Sequence, residues 1–184
     1  MKIDILFLND EMNGHDEYFD NDLFQEYCET HSFEGKKNQI LSVPPSYSKS
    51  ENLTLIVGLG ENKEDINFYD LGTLIGSKIN SDAEIKFLNV MEDTNLIIDG
   101  ILYVQYKFNN YKSEDDSSVN NITFQDLDSS ENEIKKNSVF WVRDLINTPA
   151  LDKSPEEFIN KVKELVDSSG IEVEVLSLIH ISEP

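Results

Sequence analysis

The run Ile3-Asp4-Ile5-Leu6-Phe7-Leu8 constrains the fold more than any other stretch of this chain. Ile3, Ile5 and Phe7 alternate with Asp4, Leu6 and Leu8, so a strand here is largely apolar on both faces. Such a strand needs cover on both sides, which is the condition inside an α/β sheet. A second strand is expected over residues 39–43, stopped by Pro44-Pro45, and a third over 53–57, uncharged and central, ending in Gly58-Leu59-Gly60. Residues 84–90 and, more weakly, 119–124 complete the set. Between them lie segments of helical periodicity: a short helix near 23–28, one over 64–80, one over 94–108 and one over 129–146. Gly72 and Gly76 sit four apart on one helix face, each costing about 1 kcal/mol against alanine. Close packing of that helix on the sheet is the expected return. Strands separated by helices predict a mixed, largely parallel sheet with helices on both faces.

The stretch from Val139 to Leu176 has a different grammar. Ile134, Ser138, Trp141, Val142 and Leu145 make one stripe of the last long helix, which Asn147-Thr148-Pro149 ends, since proline disfavours α conformation in the residue before it. Ser154-Pro155-Glu156-Glu157 then opens a new helix as a capping box, with Ser154 at the cap and Pro155 at the first helical position. Phe158, Val162, Leu165 and Val166 are its expected buried face, Gly170 its stop, and Ile171, Val173 and Val175 alternate with glutamates as a half-exposed strand.

Charge and composition narrow the function. The 184 residues suffice for one domain burying about 70% of its unfolded surface. A net charge of −21 repels phosphate backbones, so neither nucleic acid nor an anionic membrane is an expected partner. The single cysteine, Cys28, excludes an internal disulfide and suits a reducing compartment. The opening residues carry too short an apolar run for a signal peptide, and no segment reaches the ~20 apolar residues of a membrane span, so a cytoplasmic location is expected.

Motifs for chemistry are scarce. Gly58-Leu59-Gly60 after a strand invites a nucleotide reading, but Lys63 stands where the third glycine belongs, and a tight strand-to-helix turn is the better account. His15, His31 and His180 share no metal-ligand spacing, and Glu114-Asp115-Asp116 reads as a solvated loop. Cys28 stands beside Glu29, whose charge raises a thiol pKa. Arg143-Asp144 reads as a structural ion pair at a domain boundary. From the residues alone, no catalytic, metal-ligating or cofactor-binding residue is expected in this chain.

Three segments carry a resemblance. Arg143-Asp144-Leu145-Ile146-Asn147-Thr148-Pro149-Ala150 with Ser154-Pro155-Glu156-Glu157-Phe158 and Gly170-Ile171-Glu172-Val173-Glu174-Val175-Leu176 closely resembles the leucine aminopeptidase (cytosol aminopeptidase) family of metallopeptidases, and the run Leu55-Ile56-Val57-Gly58-Leu59-Gly60 and Asp99-Gly100-Ile101-Leu102-Tyr103 through Phe108 with Tyr111-Lys112-Ser113 resemble it in order and spacing. The resemblance implies an N-terminal domain with a macro-domain-like α/β three-layer sandwich, which contributes to assembly and to access to the active site. It also implies a hexameric parent exopeptidase whose two divalent metals, Zn or Mn, sit in a separate catalytic domain marked by an NTDAEGR-type motif. No such motif occurs here, so no catalytic residue carries over. The expected organisation is a macro-like domain over 1–147, a joint with capped helix and first strand over 148–176, and an atypical tail over 177–184. Arg143, Asp144, Asn147, Pro149, Ser154 and Pro155 form the interdomain joint, and the expected partners are the catalytic domain and neighbouring subunits of the same enzyme. Leu151-Asp152-Lys153 departs from the family's asparagine-rich spacing. A macro-like module binding ADP-ribose or a nucleotide near Gly58–Gly60 is the rival expectation, and an oligomerisation element is the third.

Overall fold

The computed structural model describes residues 1–61, 66–109, 111, 120–167 and 170–176. The chain divides into two compact units, Met1–Phe140 and Trp141–Pro184. The first is built on β1 (Lys2–Leu8), which lies in the middle of a five-stranded sheet ordered β2-β3-β1-β4-β5. β2 (Ile40–Val43) runs antiparallel along the edge of β3 (Leu53–Gly58), while β3 and β4 (Ala83–Phe87) flank β1 in parallel and β5 (Ile122–Phe124) closes the far edge in parallel.

The two faces of β1 feed two separate cores. Ile3, Ile5 and Phe7 join Leu55, Val57 and Ile85 beneath α2 (Phe68–Gly76) and α3 (Thr94–Tyr103). Leu6 and Leu8 join Ile56, Val43, Phe24 and Cys28 beneath α1 (Asn21–Thr30). Helices therefore cover both faces, as the sequence of β1 demands, and the α/β reading with a mixed, largely parallel sheet holds. α1 begins where Asp20 accepts hydrogen bonds from the amides of Asp22 and Leu23.

Several element ends fall short of expectation for identifiable reasons. β4 stops at Phe87 because the Asn89 side chain takes over the ladder, accepting from Phe7 N at 2.9 Å and donating to Phe7 O at 2.7 Å. α3 ends at Tyr103, short of Phe108, and Gln105 just beyond it donates to Gly76 O at 2.9 Å. The glycines of α2 do not face the sheet. A Cβ at Gly72 would overlap Ile97 O, and one at Gly100 would overlap Tyr69 O, so α2 and α3 meet backbone to backbone. The sheet side of α2 is already filled by Leu71 and Ile75.

α4 (Ser130–Asn147) carries a polar anchor: Asn132 donates to the buried Asp99 Oδ1 at 2.7 Å and to Asn95 O at 3.0 Å. The second unit holds the end of α4, a short 3-10 turn at Ala150–Asp152 and α5 (Pro155–Val166). The expected burial of α5 is not found. Phe158 is 44% and Leu165 54% exposed. Residues 171–176 join no sheet among the described residues, and Ile171, Val175 and Leu176 are exposed. Alternation alone does not make a strand, which needs a neighbouring strand to form a ladder. Lys63, Lys112, Ser113, the Glu114-Asp115-Asp116 run, His180 and the 177–184 tail lie outside the described residues.

Candidate functional site

The joint residues assemble into a turn held by its own hydrogen bonds. α4 stops at Asn147, and Thr148 bonds Asp144 O twice, through its amide at 2.9 Å and its Oγ1 at 2.7 Å. Pro149 is extended, with ψ 149°, which turns the chain out of the helix. The 3-10 turn then carries Lys153 back under the helix end, where its Nζ donates to Leu145 O at 2.8 Å and reaches Ile146 O at 3.5 Å. An ammonium on the last carbonyls satisfies acceptors that the helix leaves open and opposes the negative end of its dipole. Lys153 therefore fixes the turn in which the resemblance leads one to expect asparagines. Ser154 Oγ accepts from Glu157 N at 3.2 Å, and Pro155 takes the first helical position, as the sequence predicts. Arg143 and Asp144 are half-buried on the last turns of α4.

Several large apolar side chains of this segment are exposed. Leu151 is 96% exposed, and Val142, Ile146, Phe158 and Leu165 are also exposed.

The Gly58–Gly60 turn serves packing. A Cβ at Gly58 would overlap Lys36 O, so glycine is required where the 34–37 loop crosses β3, and Gly60 sits at a positive φ of 74°. Its amides are spent: Gly58 N on Gln39 O, Leu59 N on Leu8 O and Gly60 N on Gly35 O, at 2.8, 2.8 and 2.9 Å. A phosphate loop needs such amides free. The adjoining open cleft, about 400 Å³, is walled by Asp10, Glu34 and Glu61 beside Lys36 and Lys37, and Lys36 already pairs with Glu34. Three carboxylates there oppose a phosphate.

Cys28 is buried in the α1 core, and burial pushes its thiol up to about 11. The cause is desolvation rather than the expected charge of Glu29. His15 bonds Met12 O and stacks on Phe24, while His31 bonds and stacks on Tyr27, so both act locally. Among the described residues no three His, Cys, Asp or Glu side chains come together to hold a metal ion, and a two-metal centre does not fit them.

One polar site has no signal in the sequence. Asp4, in the central strand, is only 3% exposed. Its Oδ2 accepts from Ser50 Oγ at 2.5 Å and its Oδ1 from Asn52 Nδ2 at 3.1 Å. In sheet register it stands between Thr54 and Lys86. Only strand pairing brings these three residues together, so no local pattern announces them.

No family model matches the sequence. Curated relatives do. The probable cytosol aminopeptidase of Clostridium tetani is 25% identical over 89% of this chain and 38% of its own length. The cytosol aminopeptidase of Rickettsia prowazekii is 29% identical over 78% of the chain and 34% of its own. The chain is thus similar to cytosol aminopeptidases over part of their length. It spans about a third of the length of the curated relatives it matches. Among solved structures, a mutant of tomato leucine aminopeptidase superposes with a TM-score of 0.66 at 14% identity, covering 91% of this chain and 39% of that one. Cytosol aminopeptidase from Coxiella burnetii gives 0.64 at 21% identity, over 91% and 36%. These structural likenesses establish the shared fold of the domain. No helix of the domain among the described residues is long and apolar enough to cross a membrane.

Proposed function

We propose that this chain serves as the non-catalytic N-terminal domain of a cytoplasmic two-metal leucyl aminopeptidase that removes N-terminal residues from peptides. Its role is to support assembly of the enzyme and access to the active site. The observation that carries this reading is the similarity to cytosol aminopeptidases over roughly a third of their length. The exposed apolar joint of Leu151, Phe158 and Leu165 supports it, because a surface of that kind suits burial against a following domain or a neighbouring subunit. Zn or Mn belongs, in this reading, to the catalytic domain, where two metals share the activation of a water for attack on the peptide carbonyl.

The test is hydrolysis of leucine-p-nitroanilide with added Mn²⁺. The 184-residue chain by itself is expected to turn over no substrate, and the same chain joined to a leucine aminopeptidase catalytic domain is expected to yield an active assembly. Turnover by the chain alone would refute the non-catalytic role. An active catalytic domain whose assembly and rate are unchanged by this chain would refute the supporting one.

A further inference from the structure

We propose that the polar row around Asp4 binds a small zwitterion of the α-amino-acid class, its ammonium group taken by Asp4 and its carboxylate by Lys86 and the Thr54 hydroxyl. The site lies in the first unit on the α1 side of the sheet, away from the Gly58–Gly60 turn, and the inference does not depend on the aminopeptidase reading. A carboxylate in the middle strand of a sheet is costly unless its lone pairs are used. Ser50 and Asn52 supply one donor to each oxygen of Asp4, whereas an ionised carboxylate accepts about four. Beside it in register, Thr54 is 1% exposed, and its Oγ1 has no hydrogen-bond partner among the described residues. On the other flank, Lys86 enters none of the ion pairs formed among the described residues. Ser50 and Asn52 already tie their loop to Asp4, so the idle groups on the two neighbouring strands have no such structural task.

These groups line a cleft of about 330 Å³, within the range of small-ligand sites. Its walls are held in place: Tyr18 donates to Leu88 O at 3.0 Å and Lys49 to Asp16 O at 2.7 Å. Two carboxylates, Asp4 and Glu17, face two ammonium groups, Lys49 and Lys86. That balance stands out in a chain of net charge −21, and it selects the ligand. A phosphate meets Asp4 and Glu17; a metal cation meets Lys49 and Lys86. A compact molecule carrying one charge of each sign satisfies both sets, and like charges on either end are excluded.

The experiment is an amide-NMR titration of the ¹⁵N-labelled 184-residue chain with glycine and with L-leucine, beside acetate and methylammonium as single-charge probes. Saturable shifts at the amides of Asp4, Thr54 and Lys86 with the amino acids are expected, and at least about tenfold weaker binding of each single-charge probe. Lys86→Gln, an exposed position, is expected to weaken glycine binding about tenfold with an unchanged unfolding curve, and Thr54→Val to weaken it less. Absence of saturation at tens of millimolar overturns the proposal. So does equal binding of acetate or methylammonium, or wild-type affinity in Lys86→Gln. Asp4→Asn is expected to abolish binding, and if that variant does not fold the Lys86 and Thr54 variants decide alone.

Discussion

Lys153 Nζ lies 2.8 Å from the carbonyl oxygen of Leu145, eight residues upstream, and so ties the turn after α4 to the end of that helix. Replacing the ammonium while keeping the stem isolates this contact. Lys153→Met is expected to destabilise the end of α4 by about 1 kcal/mol, the sum of a charged hydrogen bond and the dipole term. Amide exchange of residues 145–149 reads it directly. Faster exchange there, with the sheet amides unchanged, is the expected pattern. Unchanged exchange would mean that Lys153 does not hold the turn.

Gly72 and Gly100 set a second prediction. Because a Cβ on either overlaps a backbone oxygen of the facing helix, Gly72→Ala pushes α2 and α3 apart despite its gain in helix propensity. The propensity gain is about 1 kcal/mol and overpacking costs about 1–3, more where backbone must move, so destabilisation wins. Urea unfolding with an unchanged slope is the measurement, and a stabilised Gly72→Ala would show that the helices do not meet backbone to backbone.

What the sequence discloses and what it hides divide along the range of the interaction. The Ser154 cap, the Pro149 stop and the two-faced strand Ile3–Leu8 are local chemistry, and they stand where the residues place them. The facing of Gly72 is not local, since i, i+4 glycines tell of close approach without naming the partner. Ile171–Val175 shows the same limit, because alternation needs a neighbouring strand before it becomes a ladder. Asp4 reads as one polar residue in an apolar run. Only the register that sets it between Thr54 and Lys86 makes it a site. The turn after α4 is legible from its proline and its cap, but Lys153 as its clasp is not, since a lysine eight residues from its acceptor obeys no helical spacing.

Cys28 yields a pH prediction with a definite sign. Burial raises its pKa to about 11 in the folded chain, above the ordinary thiol value of about 8.5. The folded state therefore keeps a proton that the unfolded state releases. This contribution is fully present below pH of about 8.5 and is lost as the pH rises toward about 11. Reaction with a thiol-specific disulfide reagent at pH 8 is expected to be slow in buffer and fast in urea. Equal rates would place the thiol at the surface. Cys28→Ser is expected to lower stability without this alkaline slope.

Leu151 supplies the prediction that bears most on function. At 96% exposure it contributes almost nothing to the stability of this chain, so Leu151→Asp is expected to leave the unfolding curve within about 0.5 kcal/mol. Phe158→Asp, in the same unit, is expected to cost little more. If these side chains are covered in the complete enzyme, either substitution buries a charge at the contact and weakens assembly by at least tenfold, a cost of about 1.4 kcal/mol or more. Sedimentation of the chain joined to a leucine aminopeptidase catalytic domain measures this, and leucine-p-nitroanilide hydrolysis follows the assembled fraction. Wild-type assembly by both variants would place the contact elsewhere on the domain and leave the apolar joint without that role.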